Sequence, residues 1–139
     1  MSLFSVMNIA GTALAAQTVR LNVTASNLAN ADSAASSIDR TYRARHPVFQ
    51  TLAPDAEVFD DAPNAGVQVA GIVESQAALR REYQPGHPLA DADGYVFLPN
   101  VNVVEEMANM IAASRSYQTN VEIMEASKQM LSRTLALGQ

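Results

Sequence analysis

The stretch that decides the fold is residues 101–137, VNVVEEMANMIAASRSYQTNVEIMEASKQMLSRTLAL, which no Pro or Gly interrupts. Large apolar residues fall at Val103, Met107, Met110, Tyr117, Val121, Met124, Leu131 and Leu135, with Ser114 and Lys128 as polar interruptions. The spacing alternates three and four, which makes a heptad seam and asks for a partner helix. Asn102 stands three residues before Glu105, the pattern in which each side chain can cap the other's backbone N–H. Glu105 and Glu106 lie at the start and Lys128 and Arg133 near the end, as the helix dipole favours. Gly138 then offers a left-handed stop. The pattern predicts a helix of roughly 35 residues, about 50 Å long at 1.5 Å per residue. Such a helix is too long to be buried inside one domain of 139 residues.

A second seam occupies residues 1–31. Met7, Leu14, Leu21 and Leu28 recur every seven residues, with Phe4, Gly11, Thr18 and Ala25 three positions before each. One line is large and the other mostly small, and small residues let helices approach closely. The other faces carry Ser5, Asn8, Gln17, Asn22, Thr24, Asn27 and Asn30, and Arg20 is the segment's single charge. A helix facing water usually displays Lys and Glu. One that displays amides suits burial among other helices. It should end near Asn30, because Asp32-Ser-Ala-Ala-Ser-Ser is turn-prone.

Between the helices, residues 32–100 read as a small β-rich module. Tyr42, Ala44, His46 and Val48 alternate against Arg43, Arg45 and Pro47, the pattern of an edge strand. Residues 54–66 form an acidic loop with Asp55, Glu57, Asp60 and Asp61. The strongest strand is 66–74, with Val67, Val69 and Val73 assigned to one face, Gln68, Ala70 and Ile72 to the other, and Gly71 marking a bulge. Short extended pieces at 79–83 and 95–98 flank Gln84-Pro-Gly-His-Pro88. The fold class is therefore α+β: long terminal helices (1–31 and 101–139) paired as a coiled coil, with a β-rich middle (32–100).

Composition narrows the function. The net charge of −5 argues against a nucleic-acid binder. The absence of cysteine removes disulfides and thiolate metal sites. No run of 18 apolar residues offers a membrane span, and the first residues do not read as a cleavable secretory signal. Much of the hydrophobic 48% is Ala and there is no Trp, so the core should be thin and stability should depend on neighbours. Asp91-Ala-Asp93-Gly94 has the look of a calcium-loop fragment, but position 100 is Asn where a Glu ligand would be needed. It reads as a tight turn. His46 and His87 each stand beside a proline without ligand-spaced neighbours. No nucleophile elbow or phosphate loop occurs. The basic cluster Arg40, Arg43, Arg45 and the acidic run 55–61 are either two solvated faces or complementary patches between subunits.

Longer strings carry a family resemblance. RLNVTASNLANA, residues 20–31, resembles the amino-terminal signature of the bacterial flagellar rod and hook proteins. PGHP (85–88), GYV (94–96), LPNVNVVEEM (98–107) and ASRSYQTNVE (113–122), with the terminal LALGQ (135–139), are similar to the members that build the proximal rod. The resemblance implies a structural, non-catalytic subunit without cofactor, whose terminal helices form the inner layer of a helical tube that transmits torque. It implies export through the flagellar type III apparatus without cleavage and residence in the rod across the periplasm. The implied partners are copies of itself and other proximal-rod proteins, the inner-membrane ring and export apparatus at the base, and the distal rod above. Neither nucleic acid nor a small-molecule substrate is implied. Carried over by position, Asn22, Ala25, Ser26, Asn27, Leu28, Ala29 and Asn30 would lie in the inner layer. The expected assembly interface joins Asn22, Ala25, Asn27 and Asn30 to the two large apolar lines, Met7 to Leu28 and Val103 to Leu135. Two other classes compete: a secreted coiled-coil adaptor acting as a soluble dimer, and, more remotely, a hydrolase using Asp91, Asp93 and His87.

Overall fold

The computed structural model describes residues 2–52 and 66–137. The acidic run 55–61 and the Gly138 stop therefore lie outside the described residues. The first helix, α1, spans Leu3–Ala29, and the last, α2, spans Val103–Leu137 with the anticipated 35 residues. Between them come a 3₁₀ turn at Ile38–Arg40 and four strands: β1 (Arg45–Leu52), β2 (Gly66–Glu74), β3 (Arg80–Tyr83) and β4 (Tyr95–Leu98). The architecture is α+β, two long helices with a small β-rich middle.

Each helix begins where its side chains can satisfy its orphan N–H groups. Ser2 Oγ accepts from the Ser5 N–H at 3.3 Å. Asn102 Oδ1 accepts from Val104 at 3.2 Å and from Glu105 at 3.4 Å, so the Asn102 half of the expected reciprocal cap forms. At the other end of α1, Asn30 takes the C-cap, as its turn-prone sequel required. Ala31, just past α1, clusters with Ala44 and Val101, just before α2. The two helices pack along one another, and that shared end makes them antiparallel. Because α1 has only 27 residues, α2 runs on past its partner by about 12 Å.

β1 and β2 pair antiparallel and lie along α1, with their base at Arg45 and Glu74 near Asn27 and their tip at Leu52 and Gly66 near Thr12. The close approach at the tip needs a glycine. A Cβ on Gly66 would meet Thr12 Oγ1 at 2.8 Å, and that same oxygen accepts the Val67 N–H at 3.2 Å. The ladder slips between Val48 and Phe49: Val48 pairs with Gly71, Phe49 pairs with Val69, and Ala70 is left over. The sequence anticipates a bulge here but not its consequence for the faces. One extra residue flips everything beyond it. Val67 and Val69 therefore share their face with Ile72, and Val73 moves to the opposite side. The sequence assignment of Val73 is corrected accordingly.

β3 and β4 form a second antiparallel hairpin, and Ala35 bonds to both backbone groups of Phe97 on its free edge, at 2.9 and 3.1 Å. The turn into β4 is made by Asp91. Its Oδ1 accepts from the Tyr95 N–H at 2.8 Å and the Asp93 N–H at 3.0 Å, and Gly94 supplies a φ of +82°. The Asp-Ala-Asp-Gly string is thus a turn. The buried apolar residues are almost all Ala and Val, which makes the core as thin as the composition implied.

Candidate assembly interface

In the helix pair, the line of α2 that is most deeply buried is not the large apolar one. Glu106, Ala113 and Ser127 are buried, with Asn120 half-buried between them, again at intervals of seven. Met110, Val121, Met124 and Leu131 flank this line half-buried. Val103, Met107, Tyr117 and Leu135 are exposed, Met107 at 54% and Leu135 at 67%. The inward line is therefore rotated one residue from the line Met107, Ser114, Val121, Lys128, Leu135. The reason is steric. The residues that α1 itself buries are mostly small (Ser5, Ala10, Ala16, Val23 and Thr24, with Asn27), and close packing favours small residues such as Ala113 and Ser127 opposite them with bulky ones at the rims.

The same division appears on α1. Met7, Leu14, Leu21 and Leu28 are half-buried, whereas Phe4, Thr18 and Ala25 face outward, Phe4 at 68%. Asn8, Ala15, Asn22 and Ala29 are exposed too, each four positions beyond a member of that line. Together with half-buried Gly11 they make a continuous heptad stripe from Phe4 to Ala29. It holds no charge. A Cβ added at Gly11 would meet nothing within 4 Å.

The string 20–31 splits between two duties. Asn22, Ala25 and Ala29 belong to the outward stripe. Ser26, Asn27 and Asn30 bond within the chain. Asn27 is fully buried: its Oδ1 accepts from the Arg45 N–H and the Tyr42 hydroxyl, both at 2.9 Å, and its Nδ2 donates to the Arg45 carbonyl at 2.8 Å. Ser26 Oγ and the Tyr42 hydroxyl share a bond of 3.1 Å. Asn30 Nδ2 donates to the Ser26 carbonyl.

A second asparagine completes the joint. Asn100 Oδ1 accepts from the Ala44 N–H at 2.8 Å, and its Nδ2 donates to the carbonyls of Ala77 (2.9 Å) and Ser75 (3.3 Å). Arg43 donates to the same two carbonyls, and Arg80 to those of Ala31 and Pro99. The β-rich middle is thereby tied to the end of α1 and the approach to α2. Sequence reasoning missed Asn100 and this use of Arg43. The signal for Asn27 was present: an Asn inside a helix, with no cap to make, is a poor helix former.

Of the basic cluster, Arg45 pairs with Glu74 at 3.1 Å and Arg43 is bonded to backbone, so two of the three arginines have partners inside the chain. His87 Nδ1 accepts the Leu89 N–H, a turn-holding bond, and His46 is exposed. Among the described residues no group of three or more His, Asp or Glu could hold a metal ion. Among them, too, no helix is long and apolar enough to cross a membrane.

The comparisons with known proteins match this arrangement. Residues 7–34 match the family model of the flagella basal body rod protein, and residues 92–137 match that of the flagellar basal body rod FlgEFG protein C-terminal region. The FlgC basal-body rod protein of Salmonella typhimurium is 52% identical over 139 residues, covering all of both chains. The chain belongs to the FlgC family of flagellar basal-body rod proteins. The FlgC protein of Yersinia enterocolitica is 50% identical, again over both whole chains, and that of Borreliella burgdorferi 36% identical over all of this chain and 99% of its own. This FlgC-family chain is a structural subunit of the rod, and the adaptor alternative is not favoured. The first family model covers most of α1 and the residues just past it, and the second covers β4 and α2.

Proposed function

We propose that the subunit assembles through its terminal helices into a helical tube, with α1 and α2 in the inner layer and the β hairpins outside. The observation that carries this is the chargeless stripe from Phe4 to Ala29. A soluble monomer or closed dimer gains nothing from 27 helical residues whose outward face lacks Lys and Glu. A helix packed against neighbouring helices needs that face small and uncharged. On α2 the exposed residues Val103, Met107, Tyr117 and Leu135 supply apolar cohesion, and the overhang past α1 carries Leu131 and Leu135 toward an adjacent subunit. Met110, Val121 and Met124, half-buried, contribute at the rim, as do Met7, Leu14, Leu21 and Leu28.

The contacts join copies of this chain and other proximal-rod proteins, with the inner-membrane ring and export apparatus below and the distal rod above. The rod crosses the periplasm, and the chain reaches it by type III export without cleavage. Torque passes through packed helices, so no catalysis, cofactor or small-molecule substrate is required. Ala25→Glu and Asn22→Glu test the reading. Both positions are exposed, so the secreted chain should keep its helical circular dichroism while rod assembly and swimming are lost. Normal swimming in either variant would overturn the inner-layer placement.

A further inference from the structure

A cleft of about 620 Å³ opens at the base of the β1–β2 hairpin, between the end of α1, the 3₁₀ turn and Glu74. Arg40, Arg43 and Arg45 line it, with Tyr42 and an exposed Ile38 (52%) beside them. The acceptors of Arg43 are neutral carbonyls, so its charge is uncompensated. Arg45 shares its charge with Glu74 and lies 5.3 Å over the Tyr42 ring. Arg40 has no carboxylate within ion-pair distance among the described residues. Against Asp39 and Glu74 the lining remains net positive, in a chain whose net charge is −5.

The most acidic run of the chain has a complementary order. Asp55-Ala-Glu-Val-Phe-Asp-Asp61 places four carboxylates around the apolar pair Val58 and Phe59. It belongs to the thirteen residues 53–65 between Leu52 and Gly66, at the opposite end of the hairpin from the cleft. Arg45 and Leu52 are about 23 Å apart at the rise of a strand. Fully extended from its nearer anchor, Glu57 or Asp60 reaches about 17 to 21 Å and Asp55 about 10 Å. The run meets its own cleft only when both arms of the loop are drawn taut along the whole hairpin, whereas a neighbouring copy can present it without that stretching.

We propose that the cleft receives residues 55–61 of a neighbouring copy of this chain, carboxylates against Arg40 and Arg43 and Phe59 against Ile38. Donor and receptor sit at opposite ends of one hairpin, so the contact is head-to-tail and not a two-fold pair, the kind of contact from which a helical array is built. It adds an outer, charge-selected contact to the cohesion of the helices, and it rests on the reading of this chain as a helically assembled rod subunit.

The chain has no cysteine, so a cross-link reads the contact directly. Two tagged full-length versions, Ile38→Cys and Phe59→Cys, are co-expressed in flagellated cells lacking their own copy, and basal bodies are oxidised. The expected result is a covalent dimer joining the two versions, absent when either is expressed alone. Its absence from basal bodies of cells that swim under reducing conditions overturns the contact while leaving rod assembly standing. So does a cross-link that joins the Ile38→Cys version exclusively to a different rod protein. A charge exchange provides the second arm and decides if a cysteine version fails to assemble. Arg40→Glu should lower assembled rods by about tenfold, the scale of a charge mismatch of about 1.4 kcal/mol, and adding Asp60→Arg should restore them. No loss, or no restoration, overturns the proposal.

Discussion

Asn27, inside α1, holds Arg45 at the start of β1 by both of its backbone groups, accepting from the N–H at 2.9 Å and donating to the carbonyl at 2.8 Å. The carboxamide thus does for β1 what a neighbouring strand would do. It binds the β1–β2 hairpin to α1 at a fixed register.

Replacing Asn27 with Ala leaves the Arg45 N–H and carbonyl and the Tyr42 hydroxyl without that partner in a buried site. With each unmet group costing about 1 to 3 kcal/mol and some relaxing toward water, the loss should be about 3 kcal/mol. Urea denaturation measures the loss, and amide exchange at Arg45 should accelerate while exchange in the middle of α2 changes less. Asn27→Asp should be no milder, because it sets a carboxylate against the Arg45 carbonyl. Stability within about 0.5 kcal/mol of the parent, the range of an ordinary surface change, would show that the joint is not held here.

The tip of the hairpin makes a separate demand. Gly66→Ala drives a methyl to 2.8 Å from Thr12 Oγ1, the oxygen that accepts from Val67 and donates to the Ile9 carbonyl at 2.8 Å. Thr12 must swing away, so the variant should lose about 1 to 2 kcal/mol, the scale of a buried hydrogen bond plus local strain. Thr12→Ser keeps the hydroxyl and should cost less than Gly66→Ala. A double-mutant cycle measures the coupling, and strictly additive effects would show that the two residues do not meet.

How far these features could be read from the residues depends on how local they are. The length of α2, its Asn102 cap and the Asp91–Gly94 turn were legible because each is set by a few neighbouring residues. So was a bulge at Gly71, although not the exchange of Val73 for Ile72 that the slipped register imposes. What stayed hidden was orientation. Both helices carry two heptad lines, and apolar size alone favours turning the large line inward. Packing against α1 decides otherwise, placing Glu106, Ala113 and Ser127 inside and Met107 outside. Asn100 escaped notice because its three partners lie 23 to 56 residues away in sequence.

The β3–β4 turn should respond to acid. The hydrogen bond from the Tyr95 N–H, foremost, then that from Asp93 and the nearby Arg81 guanidinium, hold the Asp91 carboxyl below its ordinary value of 3.8. A depressed carboxyl stabilises the folded turn fully above 3.8, and that contribution fades as pH falls through the lower folded value. The Tyr95 amide should therefore lose exchange protection as the pH falls below 3.8 and through the lower folded value. Asp91→Asn should flatten the profile, and an unchanged profile would remove the carboxylate from the turn. Gly94→Ala should weaken the turn at every pH, since its φ of +82° disfavours a side chain and a Cβ would meet the Tyr83 ring at 2.9 Å.

Gly11 separates what the lone chain requires from what assembly requires. No atom beyond the helix lies within 4 Å of a Cβ added there, so the folded subunit has room for one. Helix propensity even favours the change, by about 0.8 to 1 kcal/mol for Gly→Ala. Gly11→Leu should accordingly leave the secreted chain folded and at least as resistant to heat as the parent. On the outward stripe, however, the glycine lies between Asn8 and Ala15 at a point where a neighbouring helix can come closest. A leucine there should hold that helix off and abolish rod assembly, and Gly11→Ala should impair it less. Thermal melting of the purified chain and counts of rods in isolated basal bodies read the two effects separately. A stable Gly11→Leu chain that still builds rods would show that the stripe faces no neighbour.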